Sequence, residues 1–253
     1  MARIDLNADL GESFGRWRMT NDPDLLDLVT SANVACGFHA GDPLVMLETV
    51  REAAARGVAI GAHPGYPDLM GFGRRDLDAS PAEVKAYVIY QIGALQACCA
   101  AAGTRLRYVK PHGALYNRAV RHLPAARAIN EAILAVDTGL VLLCLAGTDW
   151  LAEARRAGLT VAAEAFIDRN YEPDGTLTPR TEPDAVLHDP ESCAMRAVRM
   201  VTDGIVTARD GTVLSLRPDS LCAHGDGPTA QALLATVRDR LTAAGVTIEA
   251  FAR

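Results

Sequence analysis

Tyr108-Val109-Lys110-Pro111-His112-Gly113-Ala114-Leu115-Tyr116-Asn117 puts a lysine and a histidine where a short apolar strand runs out. Pro111 removes a backbone donor and restricts the residue before it, so the strand should end there. His112 then faces whatever lies beyond the strand tip. The chain holds only two lysines, Lys85 and Lys110, among 25 basic residues. Lys110 therefore reflects no general preference for ammonium groups. Lysine offers a compact charge whose pKa moves on burial, whereas arginine offers a rigid, permanently charged fork.

The same pattern recurs outward from this stretch. His39 follows Val34-Ala35-Cys36-Gly37-Phe38, His63 follows Val58-Ala59-Ile60-Gly61-Ala62, and His224 follows Leu221-Cys222-Ala223. Four of the six histidines thus end an apolar run, each with a glycine within two residues. A single such histidine is more often structural, but scattered core histidines would not share this context. If the runs are parallel strands of one sheet or barrel, all four meet at its carboxyl end, where α/β enzymes place their sites.

Strands and helices alternate along the whole chain. Expected strands are 4–10, 32–36, 58–62, 106–110, 140–145, 159–165, 212–216, 220–223 and 246–249, the fully apolar run 140–145 suiting a sheet covered on both faces. Between them, Gly41-Asp42-Pro43 and Ser80-Pro81-Ala82-Glu83 have the form of helix starts, with a capping side chain and an early proline. Asp42 suits an N-cap and a ligand alike. The segment 114–135 is expected to be helical with a break at Pro124. Residues 64–76 form a long turn-rich stretch of the kind that serves as a functional lid. Its Gly71-Phe72-Gly73 has neither the preceding strand nor the third glycine of a dinucleotide fingerprint. Seven or so parallel strands with polar residues at successive tips predict an α/β fold, a (β/α) barrel, formed as a single domain over 1–253.

Composition narrows the function. Net charge is −6 and the arginines are dispersed, so a small metabolite fits better than nucleic acid. No apolar run approaches the roughly 20 residues that span a bilayer, and the amino terminus enters a strand directly, so no membrane partner and a cytoplasmic location are expected. The six cysteines show no Cys-x-x-Cys spacing, which argues against a zinc ribbon or a dithiol. Cys36 and Cys222 lie near the expected site, where a nucleophilic thiol is the minor alternative to a small buried residue.

The residues gathered at one end are Asn7, Asp9, Glu12, His39, His63, Lys110, His112, Asp168 and His224, with Arg74 and Arg75 in the long loop and Asp226 beyond the last strand. Neither a Gly-rich phosphate loop followed by Lys and Ser/Thr nor a serine nucleophile elbow occurs. Two chemistries remain open. Imidazoles and a carboxylate can hold a divalent metal that activates water. Lysine and histidines beside carboxylates can instead stabilise an anion and shuttle protons without metal.

Six motifs also carry a resemblance. Asn7-Ala8-Asp9-Leu10-Gly11-Glu12, Ala32 to Asp42, Gly61 to Asp68, Gly71 to Arg75, Val109 to Asn117 and His224-Gly225-Asp226 closely resemble the LamB/YcsF family, whose members act as the A component of 5-oxoprolinase. The resemblance implies a barrel like that of glycoside hydrolases and deacetylases. It also implies ATP-dependent opening of the lactam of 5-oxo-L-proline to L-glutamate, with 5-oxoprolinase subunits B and C as partners and ATP as co-substrate. Asp9, Lys110, His112, Asp168 and His224 are then catalytic candidates. Asn7, Glu12, His39, Asp42, Arg74, Arg75 and Asp226 are candidates for substrate or phosphate binding. A wider likeness to metal-dependent deacetylases suggests Asp9, His63 and His112 as metal ligands, although Leu10 stands where those enzymes carry a second acid. The competing expectations are a stand-alone metal-dependent amide or sugar deacetylase and a noncatalytic ligand-binding subunit.

Overall fold

Polar side chains alternate with apolar ones along the first strand, β1 (Arg3–Leu10), and this alternation organises the molecule. Ile4, Leu6, Ala8 and Leu10 join the apolar layer, while Asp5, Asn7 and Asp9 bond to side chains from other strands. In the computed structural model, which describes residues 2–19, 22–223 and 230–252, seven parallel strands close into a barrel around that polar face. They run in the order β1, β2 (Ser31–Ala35), β3 (Ala59–His63), β4 (Tyr108–Val109), β5 (Val141–Leu145), β6 (Thr160–Phe166) and β9 (Ser220–Cys222), with β9 pairing back onto β1. A further strand, β10 (Thr247–Ile248), extends the amino-terminal half of β1.

Helices cover the outside: α1 (Asp22–Leu26), α2 (Pro43–Ala55), α3 (Pro81–Ala101), α4 (Gly113–Arg121), α5 (Leu123–Val136), α6 (Asp149–Arg156), α7 (Pro190–Thr202) and α8 (Ala230–Ala243). The expected starts hold. Asp42 caps α2 by accepting from the Leu44 and Val45 amides at 2.8 and 3.0 Å, and Ser80 with Glu83 forms a reciprocal capping box on α3. Most of the apolar core lies between strands and helices, as expected when a two-faced strand set is wrapped on the outside. Each fully buried Leu, Ile or Val in that layer contributes about 1.5–3 kcal/mol.

Three local expectations change. The strand expected over 106–110 is only two residues long, because Pro111 and the bonds of Lys110 redirect the chain. The break expected at Pro124 within 114–135 falls two residues earlier, at His122, whose Nδ1 accepts from the Ala125 amide and starts α5 anew. The run 212–216 does form a strand, but outside the barrel. It supplies β8 (Val213–Ser215), which forms an antiparallel hairpin with β7 (Ile205–Thr207), a strand of three residues that is too short to stand out.

Candidate active site

Lys110 follows β4 and reaches into the barrel, where it is 2 % exposed. Its Nζ lies 3.0 Å from Asp9 Oδ1, 2.9 Å from Glu164 Oε1, 3.2 Å from Asn7 Oδ1 and 3.1 Å from Cys222 Sγ. Burial opposes the charge, but the carboxylates of Asp9 and Glu164 outweigh it and hold the ammonium protonated well above its ordinary range. Cys222 is pushed up by its own burial, so it meets the lysine as a neutral thiol. Burial likewise pushes Cys36 up to about 12, which removes a thiolate nucleophile at either position.

The cage is itself braced. Asn33 donates to Asn7 Oδ1 at 2.7 Å and to Asp9 Oδ1 at 2.8 Å, and accepts from the Tyr108 hydroxyl at 2.7 Å. Tyr116 on α4 donates to the other Glu164 oxygen at 2.8 Å. One layer below, Asp5 accepts from Ser31, Thr30 and Ser220, and burial raises its carboxyl to about 6. Each layer repeats the period of two of a strand, so Asp5, Asn7 and Asp9 head a column of polar side chains, while Tyr108, Leu143 and Ala162 form a small apolar cluster of their own.

Beside the lysine stand three imidazoles. His63 Nδ1 lies 2.7 Å from the Lys110 carbonyl and His112 Nε2 lies 2.8 Å from the Phe72 carbonyl. A carbonyl only accepts, so both of these nitrogens carry the proton. The remaining lone pairs, on His63 Nε2 and His112 Nδ1, then face each other at 3.0 Å. Asp9 Oδ2 is 3.3 Å from the former and Glu12 Oε1 is 3.5 Å from the latter. His39 stacks on His112 with ring centroids 3.7 Å apart, and its Nε2 is 3.3 Å from Glu12 Oε1. Burial, then the neighbouring imidazoles, push His39 and His112 well below the ordinary histidine range. Glu12, His39, His63 and His112 offer one ligand atom each within 4.8 Å of one another, a group that could hold a metal ion.

The loop after β3 completes this arrangement. It turns at Phe72 and Gly73, which places the Phe72 carbonyl on His112 and the Phe72 ring edge-on to His39 and His112. Gly73 has φ +62°, and a Cβ there would lie 2.7 Å from His39 Cβ and 2.8 Å from His112 Cδ2, so no larger residue fits.

A cleft of about 740 Å³ opens over Asp9, His63, Lys110 and His112, with Arg74 and Phe166 also in its lining. The structure thus brings Asn7, Asp9, Glu12, His39, His63, Lys110 and His112 together. Asp168, 4 % exposed, follows β6 and accepts the Leu187 amide through its carbonyl. Two candidates lie apart. Asp42 is engaged as the α2 cap and by the Gly15 amide, and Arg75 is ion-paired to Asp68. His224 and Asp226 lie outside the described residues. Sequence reasoning assigns no role to Glu164, Asn33 and Tyr116. An acid inside the apolar run Val161-Ala162-Ala163-Glu164-Ala165-Phe166 is the available signal for the first.

The LamB/YcsF family model matches residues 4–253. The chain belongs to the LamB/YcsF family. A Mycobacterium avium protein, named as the A component of 5-oxoprolinase, is 57 % identical over 251 residues, covering 99 % of this chain and 100 % of that protein. A Methylococcus capsulatus protein of the same name is 55 % identical, covering 99 % and 96 % respectively. That designation, one lettered subunit of a named enzyme, implies that these relatives work in a multi-subunit complex. Among solved structures, the lactam utilization protein from Thermus thermophilus is 52 % identical with a TM-score of 0.93, covering 98 % of this chain and all of that one. A T48 deacetylase, 15 % identical with a TM-score of 0.50 over 98 % of this chain and 87 % of its own, shares the fold alone. No helix among the described residues is long and apolar enough to cross a membrane.

Proposed function

We propose that this chain is the lactam-opening subunit of an ATP-dependent 5-oxoprolinase, converting 5-oxo-L-proline to L-glutamate together with companion subunits B and C. The observation that carries this role is the buried Lys110 ammonium, flanked by Asp9 and Glu164 and set beside the His63–His112 pair at the floor of a cleft. Relatives at 55–57 % identity that bear the 5-oxoprolinase name support it.

A lactam is a poor electrophile because its nitrogen donates into the carbonyl. Phosphorylation of the lactam oxygen by ATP in the assembled enzyme converts the ring to an activated imidate. Water then adds to that carbon, the ring C–N bond breaks, and the nitrogen leaves as an amine after gaining a proton. The acyl phosphate so formed takes up a second water to give glutamate and phosphate. Lys110, fixed as a cation, stabilises the negative charge that gathers on oxygen in both additions. His112, held neutral by its burial and with Nδ1 3.0 Å from His63 Nε2, accepts the proton of the attacking water and returns it to the departing nitrogen. Phosphate-loop chemistry is not written into this chain, so ATP is used by the enzyme as a whole. Its dependence on cellular ATP supports a cytoplasmic location.

A divalent metal fits the imidazole cluster on chemical grounds. His63 and His112 each give their ring N–H to a backbone carbonyl, the outer-shell arrangement that orients a metal-binding imidazole, and their two lone pairs face each other. Glu12, His39, His63 and His112 would hold the ion; of the trio suggested by deacetylases, Asp9 is committed to Lys110 and Asn33. Bound there, a metal would polarise a carbonyl or acidify water, and His63 and His112 would then serve as its ligands in place of proton transfer.

The test is reconstitution. Incubating 5-oxo-L-proline with this chain, both companion subunits and ATP should yield glutamate, and omitting ATP or either companion should abolish it. Hydrolysis of N-acetylated sugars or simple amides by the chain alone would instead establish a deacetylase.

A further inference from the structure

The lining of the cleft is rich in cations in a chain whose net charge is −6. Among the described residues, Arg74, Arg118, Arg121, Arg169 and Arg180 line it, with the acids Asp9 and Asp76. Asp9 is bound to Lys110 at 3.0 Å and Asp76 to Arg118 at 3.0 Å, so both are already committed.

Arg169 differs from the rest. It is 3 % exposed yet forms part of the cleft wall. Its Nε donates to the Ala185 carbonyl at 3.1 Å and its Nη2 to the Thr178 carbonyl. These bonds thread it under the strap that follows β6, which also carries Arg180. No carboxylate of the described residues lies in ion-pair range of Arg169, although Asp168 is its neighbour in sequence. Three of its five N–H donors remain without a protein acceptor among the described residues. Burying a charge is costly unless an opposite charge or full hydrogen bonding compensates it. Burial and then Arg180 push the guanidinium down to about 10, and the charge of Asp168 offsets only part of this. A clamped, planar fork with unused donors is preorganised for a bidentate oxyanion.

Resting on the lactam-opening role proposed above, we propose that Arg169, assisted by Arg180, seats the carboxylate of the cyclic amide, so that the cleft selects anionic lactams over neutral ones. The ring would then lie toward Lys110 and His112, which share the same cleft.

Equilibrium titration of the purified chain tests this, with 5-oxo-L-proline as the acid, 2-pyrrolidinone as the same ring without the carboxylate, and inorganic phosphate as a rival oxyanion. The wild-type chain should prefer the acid to the neutral ring by about tenfold or more, the scale of hydrogen bonds to a charged group. Arg169→Gln should remove that preference while leaving affinity for 2-pyrrolidinone within about twofold. Arg169→Lys should not restore it, because the fork is lost. If Arg169→Gln fails to fold, Arg180→Gln must lower acid affinity severalfold with no effect on the neutral ring. Equal binding of acid and neutral ring by the wild-type chain, or an unchanged preference in the folded variants, overturns the assignment. So does phosphate that displaces the acid with equal affinity. Glutamate formation by the assembled enzyme is scored separately, so loss of the activity and loss of this subsite are told apart.

Discussion

Replacing Lys110 by Met keeps the length of the side chain and removes its charge. Asp9 and Glu164, 7 % and 0 % exposed, would then face each other in the barrel with no cation between them. Removing one partner of a buried ion pair costs about 3–5 kcal/mol, because the surviving charge keeps its desolvation penalty. For a chain of this size that corresponds to a fall in Tm of roughly 6–20 °C. Denaturant unfolding followed by the fluorescence of the buried Trp150 reads the loss directly. The decisive comparison adds Glu164→Gln. Gln can still accept from the Tyr116 hydroxyl, and it removes one of the two orphaned carboxylates. The double variant should therefore be more stable than the sum of the single effects, by about 1–3 kcal/mol. Lowering the pH should also rescue Lys110→Met by protonating the abandoned acids. If Lys110→Met lies within about 1 kcal/mol of wild type, or the two substitutions are simply additive, the claim that Lys110 is held as a caged cation is refuted.

Other consequences follow from single residues. The Asp5 carboxyl titrates at about 6 when folded and 3.8 when not, so between these values the folded state binds the extra proton. Stability contributed by this group is therefore present below pH 4 and is lost as pH rises through 6, by roughly 3 kcal/mol; Asp5→Asn should flatten that slope in unfolding titrations from pH 4 to 7. Gly113 has φ +51° and a Cβ there would lie 2.7 Å from the Gly73 carbonyl, so Gly113→Ala should cost more stability than Gly103→Ala, where φ is +70° and nothing lies within 4 Å. The conformational part is about 1–2 kcal/mol at both positions, and the excess at Gly113 measures the contact. Ser80→Ala removes the capping side chain of α3, far from the cleft, and should cost about 1 kcal/mol with no change in turnover. Cobalt(II) titrated into the chain should give visible absorption that is lost in Glu12→Gln and His112→Ala; identical spectra in variants and wild type would remove the imidazole cluster as a metal site.

Much of this molecule could be read from residue order because its functional side chains sit where local rules change. Apolar runs that end in Gly and His marked the ends of β2, β3 and β4, and the capping acids and prolines at Asp42-Pro43 and Ser80-Pro81 marked the helices that return from them. The barrel followed from that alternation. The interior was harder to see. Asp5, Asn7 and Asp9 alternate with apolar residues as a half-exposed strand would, yet the polar face is the inside of the barrel, and only closure of β9 onto β1 makes it so. Glu164 was visible as an acid in an apolar strand, but its partner Lys110 is 54 positions away and no local spacing links them. Asp42 and Arg75 show the converse. Their types suit a site, and their nearest neighbours, the α2 amides and Asp68, claim them first. Asp168 and Arg169 are adjacent in sequence, yet the guanidinium goes to backbone carbonyls of the strap.

The central claim is that residues from separate strand tips act together as one lactam-opening site. Glutamate release by the complete three-subunit enzyme, with ATP and 5-oxo-L-proline, should be measured with His112→Asn in place of the wild-type chain. Loss of the proton-transfer group should lower turnover by about 10²-fold or more while the chain stays folded and assembled. Turnover equal to wild type in that folded, assembled variant would contradict it.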